Sequence, residues 1–372
     1  MKKLTLAAAA VAAVAALALA GCSSDRGGST GGDESGSAGF AADATIGIAL
    51  PDKTSENWVL AGGLFEDGLR EAGFKGDVQY APASNTVAEQ QNQISAMVTN
   101  GAKVIVIGAK DGKQLGTQLQ QAADAGVKII AYDRLIENTP NVDYYVAFDN
   151  FEVGKLQGQA LLDGLAERSG HEAPWNIELF SGSPDDANSA VFFNGAMEVL
   201  QPKIDDGTLV VVSGQTDIAQ TATQGWEAEN AQSRMDSLLA ANYADKDVDG
   251  VLSPNDNLAR AIITSTKQAG KDISKVTVTG QDSEVESVKS IMAGEQYSTI
   301  NKDTSLLVEQ TIKMIQQLQQ GEEAEVNDTE QYDNGVKVVP AYLLAPVIVT
   351  KANAAEAYAN NPNLLDIVNQ AG

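Results

Sequence analysis

The chain has 372 residues and a formal net charge of −25, from 50 acidic and 25 basic side chains. That balance repels DNA, RNA and anionic lipid head groups, whose binding needs clustered Lys and Arg. Cys22 is the only cysteine, so no internal disulfide braces the fold and the thiol needs another use.

Lys2 and Lys3 precede an apolar, alanine-rich run from Leu4 to Ala18, and Leu19-Ala20-Gly21-Cys22 follows. A basic start, an apolar centre and small residues before a cut site describe a secretory signal over residues 1–21. The small residues before Cys22 resemble the site where lipoprotein signal peptidase cuts. The Cys22 thiol is then expected to carry a diacylglycerol, and two acyl chains anchor stably where one does not. The plainer alternative, an uncleaved transmembrane helix, is disfavoured because alanine is only weakly driven into lipid. Residues 22–43 are rich in Gly and Ser, without an apolar period, and read as a flexible tether. Gly27 to Gly31 matches a hydrolase G-x-S-x-G elbow, but no strand precedes it and no helix follows, so it is rejected.

From Thr45 onward, short β-branched runs alternate with helical stretches. Strands are expected at 45–50, 77–81, 104–109, 128–133 and 144–149, then at 177–182, 209–214, 249–254 and 276–282, with YSTINK (297–302) later. The runs are apolar without alternation, as parallel strands covered on both faces are. Thr86-Val87-Ala88-Glu89 reads as a capping box for a helix that stops near Asn100-Gly101. Leu307, Thr311, Met314, Ile315 and Leu318 place a mostly apolar stripe on another helix, which ends at Gly321. This alternation implies an α/β fold with parallel sheets and right-handed crossovers, in two similar blocks.

Ligands of open α/β sheets bind beyond the carboxyl ends of the strands. Those tips carry Asp52 with Asn57 and Trp58, then Asp111, Asp133-Arg134, Asp149-Asn150 and the loop SPDDAN (183–188). Gln215, Trp226, Asn255-Asp256, Gln281-Asp282 and Lys302-Asp303 continue the series. Each Asp or Asn is also an ordinary helix cap, and Asp303, beside Thr304, is read as one. Arg134 and Lys302 are not caps, because the helix dipole opposes a cation at an N-terminus. Trp58 and Trp226 are two of only three tryptophans, and core packing is the competing account of both. Carboxylates, amides, two cations and flat rings together suit a pyranose, with its hydroxyl rim and apolar faces.

Gly108 to Lys113 lacks P-loop spacing, and no G-x-G-x-x-G follows a strand. His171 is the only histidine, which excludes a histidine-rich metal site, and it is read as a surface residue. Asp245 to Asp256 resembles a calcium loop, but its middle coincides with the strand at 249–254. No metal and no cofactor are expected.

AYDRLI (131–136), AFDNFEVG (147–154), SGSPDDANSAVFFNGAMEVL (181–200), VLSPNDN (251–257), GQDSEV (280–285) and YSTINKDT (297–304) resemble periplasmic sugar-binding proteins of the xylose-binding type. They are most similar to relatives that accept several aldoses, and the tail at 326–353 is similar too. The resemblance implies two Rossmann-like lobes joined by three crossovers, a type I periplasmic binding fold. It implies a first lobe of 44–149 with about 284–328, and a second of 150–283 with about 329–372. It also implies that Asp133, Arg134, Asn188, Trp226, Asp256, Asp282 and Lys302 contact the sugar. Asn57 stands before Trp58 where such relatives often carry Arg. The expected protein is no enzyme but a monomeric, membrane-anchored binder that hands an aldose to an ABC permease. A sugar-sensing co-receptor and a carbohydrate-active enzyme are the alternatives.

Overall fold

The computed structural model describes residues 39–53, 55–82 and 87–371. The signal segment, Cys22, most of the tether and the Thr86 half of the expected capping box lie outside the described residues.

The first block runs β1 (Thr45–Leu50), α1 (Glu56–Glu71), β2 (Lys75–Tyr80), α2 (Val87–Thr99), β3 (Val104–Ile107), α3 (Gly116–Asp124), β4 (Lys128–Tyr132) and β5 (Tyr144–Phe148). The second runs α4 (Asn150–Arg168), β6 (Trp175–Leu179), α5 (Ala187–Asp205), β7 (Leu209–Val211), α6 (Ile218–Thr221), α7 (Ala228–Asn242), β8 (Gly250–Leu252), α8 (Asp256–Gln268), β9 (Thr277–Val278), α9 (Val285–Ala293) and β10 (Ser298–Asn301). The tail holds α10 (Thr304–Gln319), β11 (Ala341–Leu344), β12 (Val347–Thr350), α11 (Ala354–Ala357) and α12 (Pro362–Ala371). Among the described residues no helix is long and apolar enough to cross a membrane.

The first sheet has the order β11-β5-β4-β3-β1-β2 and the second β7-β6-β8-β9, parallel throughout. Both faces of the first sheet are covered, which explains the unbroken apolar runs. Ile105, Ile107, Ile129 and Ala131 join Ile94, Met97 and Leu119 of α2 and α3 on one side. Val104, Val106, Ile130 and Tyr132 join Phe65 and Leu69 of α1 and Met314 and Ile315 of α10 on the other. Each fully buried Val, Ile, Leu, Met or Phe among these contributes about 1.5–3 kcal/mol. The helical stripe is as expected: Leu307, Thr311, Met314, Ile315 and Leu318 are all buried.

The chain passes between the two blocks three times, from β5 to α4, from β10 to α10 and from β11 to β12. The tail does not divide as expected. β11 is the edge strand of the first sheet rather than part of the second block. α9 packs with α12 in the second block, leaving α10 as the segment of 284–328 that covers the first sheet. β12 pairs antiparallel with β10 in a separate two-stranded ribbon.

Most expected strands end one to three residues early. Asp133, Asp149, Asp282 and Lys302 therefore leave the ladders and turn into loops. In both sheets the strand order reverses beside the first strand of the block, at β1/β3 and β6/β8. Those switch points open crevices at the carboxyl ends.

Candidate binding cleft

The loops beyond both sheets line one cleft of about 490 Å³, inside the range of roughly 300–1,000 Å³ typical of small-molecule sites. Eight expected residues line it: Asn57, Trp58, Asp133, Arg134, Asn188, Trp226, Asp282 and Lys302. Asp256 does not.

Asp133 sits in the left-handed region at φ 62, one residue past β4. Such strain in a non-glycine residue persists only where its surroundings hold it. Its N–H donates to Val146 O at 2.8 Å, and its carbonyl accepts from the Tyr145 hydroxyl and the Asn188 amide, each at 2.7 Å. The backbone is thus fixed, and the carboxylate is bonded to none of the described residues. Burial pushes this carboxyl above its ordinary range. Lys302 and Arg134 oppose that push, and Asp186 and Asp282 add to it.

The Arg134 guanidinium donates through Nη1 to Ala109 O at 3.1 Å and lies 3.1 Å through Nε from Asp186 Oδ2. It sits 5.5 Å over the Trp58 ring, so one face of that indole supports the cation. Trp58 is also close to Gly108, where a Cβ would lie 2.9 Å from the ring. Trp226 is also left-handed, at φ 56, and donates from Nε1 to Asp186 Oδ2 at 3.2 Å. A Cβ at Gly182 would collide with its ring.

Lys302 lies 3.0 Å from Asp282 Oδ1 and 5.6 Å over the Phe192 ring. Burial alone would lower its pKa, but Asp282 and Asp133 outweigh that and hold the ammonium above its usual value. Asp282 is left-handed at φ 98, and its carbonyl accepts from Asn57 Nδ2 at 3.3 Å. Asn57, the residue in the place of a cation, is therefore a bridge from α1 to the loop after β9.

Asp256 corrects the sequence reading. Its side chain is fully buried, and its oxygens accept from Gln296 Nε2 at 2.8 Å and from Glu284 N and Thr299 Oγ1 at 3.0 Å each. Asn255 and Asn257 line the cleft instead. Asn255 caps α8, with Asp256 as the first helical residue, and successive helical residues point about 100° apart. That offset was the available signal. Asp186 was also missed. The loop SPDDAN was recognised, but the buried cap of α5, which meets both Arg134 and Trp226, is Asp186.

The non-site expectations can be placed too. Asp303 caps α10 through Ser305 N at 2.9 Å. His171 is half exposed, with Nε2 3.0 Å from Asp249 Oδ1, and is more than a free surface residue. Among the described residues no cluster of His, Cys, Asp or Glu is suited to a metal ion.

The sequence profile of the periplasmic binding protein domain matches residues 46–323. The chain belongs to the periplasmic binding protein family. This family member is 52% identical over 318 residues to the multiple sugar-binding periplasmic receptor ChvE of Rhizobium radiobacter, covering 84% of this chain and 89% of the relative. It is 34% identical over 316 residues to the D-xylose-binding periplasmic protein of Escherichia coli (strain K12), covering 85% and 89%. Among solved structures, an ABC transporter solute-binding protein from Clostridium phytofermentans with bound β-D-glucose matches at 40% identity and a TM-score of 0.81, covering 86% and 99%. These members of the periplasmic binding protein family are receptors and binding proteins by name, not enzymes.

Proposed function

We propose that the protein captures a free aldose in pyranose form and delivers it unchanged to an ABC importer. The observation that carries this is the Asp133 carboxylate, which is free of described partners and has Arg134 and Lys302 as its facing cations. An unbonded carboxylate accepts hydrogen bonds from two hydroxyls, and the cations donate to neighbouring sugar oxygens. Micromolar affinity, about −8 kcal/mol, is within reach of a few such bonds. The first lobe is 44–149 with the segment from α10 through β11, the second is the segment from α4 through β10 with that from β12 onward, and closure between them buries the sugar. Calorimetry against D-xylose, D-glucose, D-galactose and L-arabinose tests this; no heat with any of them sinks it, and so does turnover of the sugar.

The lipid anchor belongs to the same proposal. Cys22 is the acylated mature N-terminus, motivated by Leu19-Ala20-Gly21-Cys22. Mass spectrometry should find diacylated Cys22, and Cys22→Ala should release or leave unprocessed protein. A wild-type protein cut elsewhere and recovered soluble would remove the anchor from the proposal. The co-receptor reading is favoured by one relative's being named a receptor. Deleting the permease genes separates the two, since only a co-receptor keeps its sugar response.

A further inference from the structure

The loop from Gly280 to Glu284 wraps around one carboxylate. Asp256 Oδ2 accepts from Glu284 N at 3.0 Å, and its own N–H donates to Gln281 O at 3.0 Å. Thr299 Oγ1 donates to Oδ2 at 3.0 Å and accepts from Ser283 N at 3.2 Å. Gln296 Nε2 reaches Oδ1 at 2.8 Å. Gly280 has no side chain where a Cβ would strike Oδ1. No cation contacts Asp256 among the described residues; its neighbours are the acids Asp282 and Glu284. A buried carboxylate held only by neutral donors is costly, and it persists where those bonds define the surrounding backbone. Here that backbone includes two consecutive left-handed residues, Asp282 at φ 98 and Ser283 at φ 52.

We propose that Asp256 is a positioning residue for ligand binding: it never meets the ligand, and its carboxylate is the mould on which the Asp282–Ser283 turn forms. This rests on the reading of the cleft as a sugar site. The turn does two things at once. It aims the Asp282 carboxylate at Lys302, 3.0 Å away, and it presents the Asp282 carbonyl across the cleft to Asn57 Nδ2 at 3.3 Å. A group buried within the second lobe thereby shapes both the polar wall of the site and a contact between the lobes. It also explains why an Asp at a strand tip is absent from the lining while the Asn on each side of it is present.

The test is a double-mutant cycle with D-glucose as the calorimetric probe. Asp256→Ala should weaken binding by about tenfold or more, and Asp256→Asn, which keeps one acceptor, by less. In an Asp282→Ala background the Asp256→Ala effect should largely vanish, because it acts through Asp282. An undiminished effect there would make Asp256 an independent contact and overturn the proposal. So would unchanged affinity with a lowered melting temperature, which is the result of a merely structural role. Amide exchange in the sugar-free protein is the second measurement and needs no ligand. The Asp282 N–H donates to Ile300 O at 2.9 Å and does not touch Asp256. It should exchange faster in Asp256→Asn, and an unchanged rate overturns the proposal. If the wild type takes no D-glucose, the reading of the cleft fails, while the exchange rates still decide the role of Asp256.

Discussion

Arg134, in the loop after β4, and Asp186 of the second block stand 3.1 Å apart, and the same Asp186 oxygen receives the Trp226 indole at 3.2 Å. One buried carboxylate therefore orients a cation on one wall of the cleft and a ring on the other. It also caps α5 through Asn188 N at 3.0 Å.

Replacing Asp186 should therefore do two separable things. Asp186→Ala should cost about 0.5–2 kcal/mol of stability as a lost cap. It should also lower sugar affinity, and that loss should couple with Arg134→Met by about 0.5–3 kcal/mol in a double-mutant cycle. Strictly additive affinities would mean that the two residues act separately.

Asp133→Asn should keep the fold and cost about 1.5–3 kcal/mol of affinity, the worth of bonds to a charged group. Acidity should act in two directions here. Burial holds the Asp133 carboxyl above its ordinary 3.8. Binding needs the ionised form, so affinity is present above the raised value and lost as pH falls through it. The sugar-free fold binds the proton more readily than the unfolded chain, so the share of its stability that rests on Asp133 rises on the same descent. Calorimetry and thermal melts across that acidic range should diverge for the wild type and not for Asp133→Asn.

Gly182 and Gly108 leave room for the Trp226 and Trp58 rings, which a Cβ at either would meet. Gly182→Ala should push the Trp226 ring from its place, change tryptophan fluorescence and weaken binding at least tenfold, about 1.4 kcal/mol. Intact affinity with an unchanged emission spectrum would show the ring to be core packing.

His171 has acceptors on both sides, the Glu172 carbonyl at 2.8 Å from Nδ1 and Asp249 Oδ1 at 3.0 Å from Nε2. Both ring nitrogens must donate, which describes the imidazolium. The Glu172 carbonyl first and Asp249 next raise its pKa above 6.5, and Asp247 adds to this. Its stabilisation is then complete below 6.5 and lost as pH rises through the raised value. The ring is half exposed, so solvent screens the effect and it should be small. As the chain's only histidine, it gives a single NMR titration. A midpoint at or below 6.5, or no change in the pH dependence of melting for His171→Gln, would count against a stabilising His171–Asp249 pair.

The blocks were legible because VIVI and KIIAY are buried on both faces and leave no helical period to confuse them. Asp133-Arg134 was legible because an Asp–Arg pair has no place inside such a run. Asp256 was not, because Asn255, Asp256 and Asn257 are chemically alike, and only the start of the helix decides which of them turns inward. β11 and β12 were missed as strands because Tyr342 to Leu344 and Val347 are only partly buried or exposed. Their pairing is also set by distant partners, β5 and β10, that no local pattern announces.

The late arrival of β11 has a bearing on biogenesis. A chain emerges N-terminus first, and β5 finds its outer neighbour only when Ala341 comes to lie against Tyr145. Until then the first sheet has an open hydrogen-bonding edge beside strongly apolar residues, a template for misassociation. High contact order of this kind also slows folding. Truncations that stop short of Ala341 should therefore aggregate through β5 rather than yield a smaller soluble lobe. A chaperone that keeps the nascent chain unfolded would be protecting that edge above all.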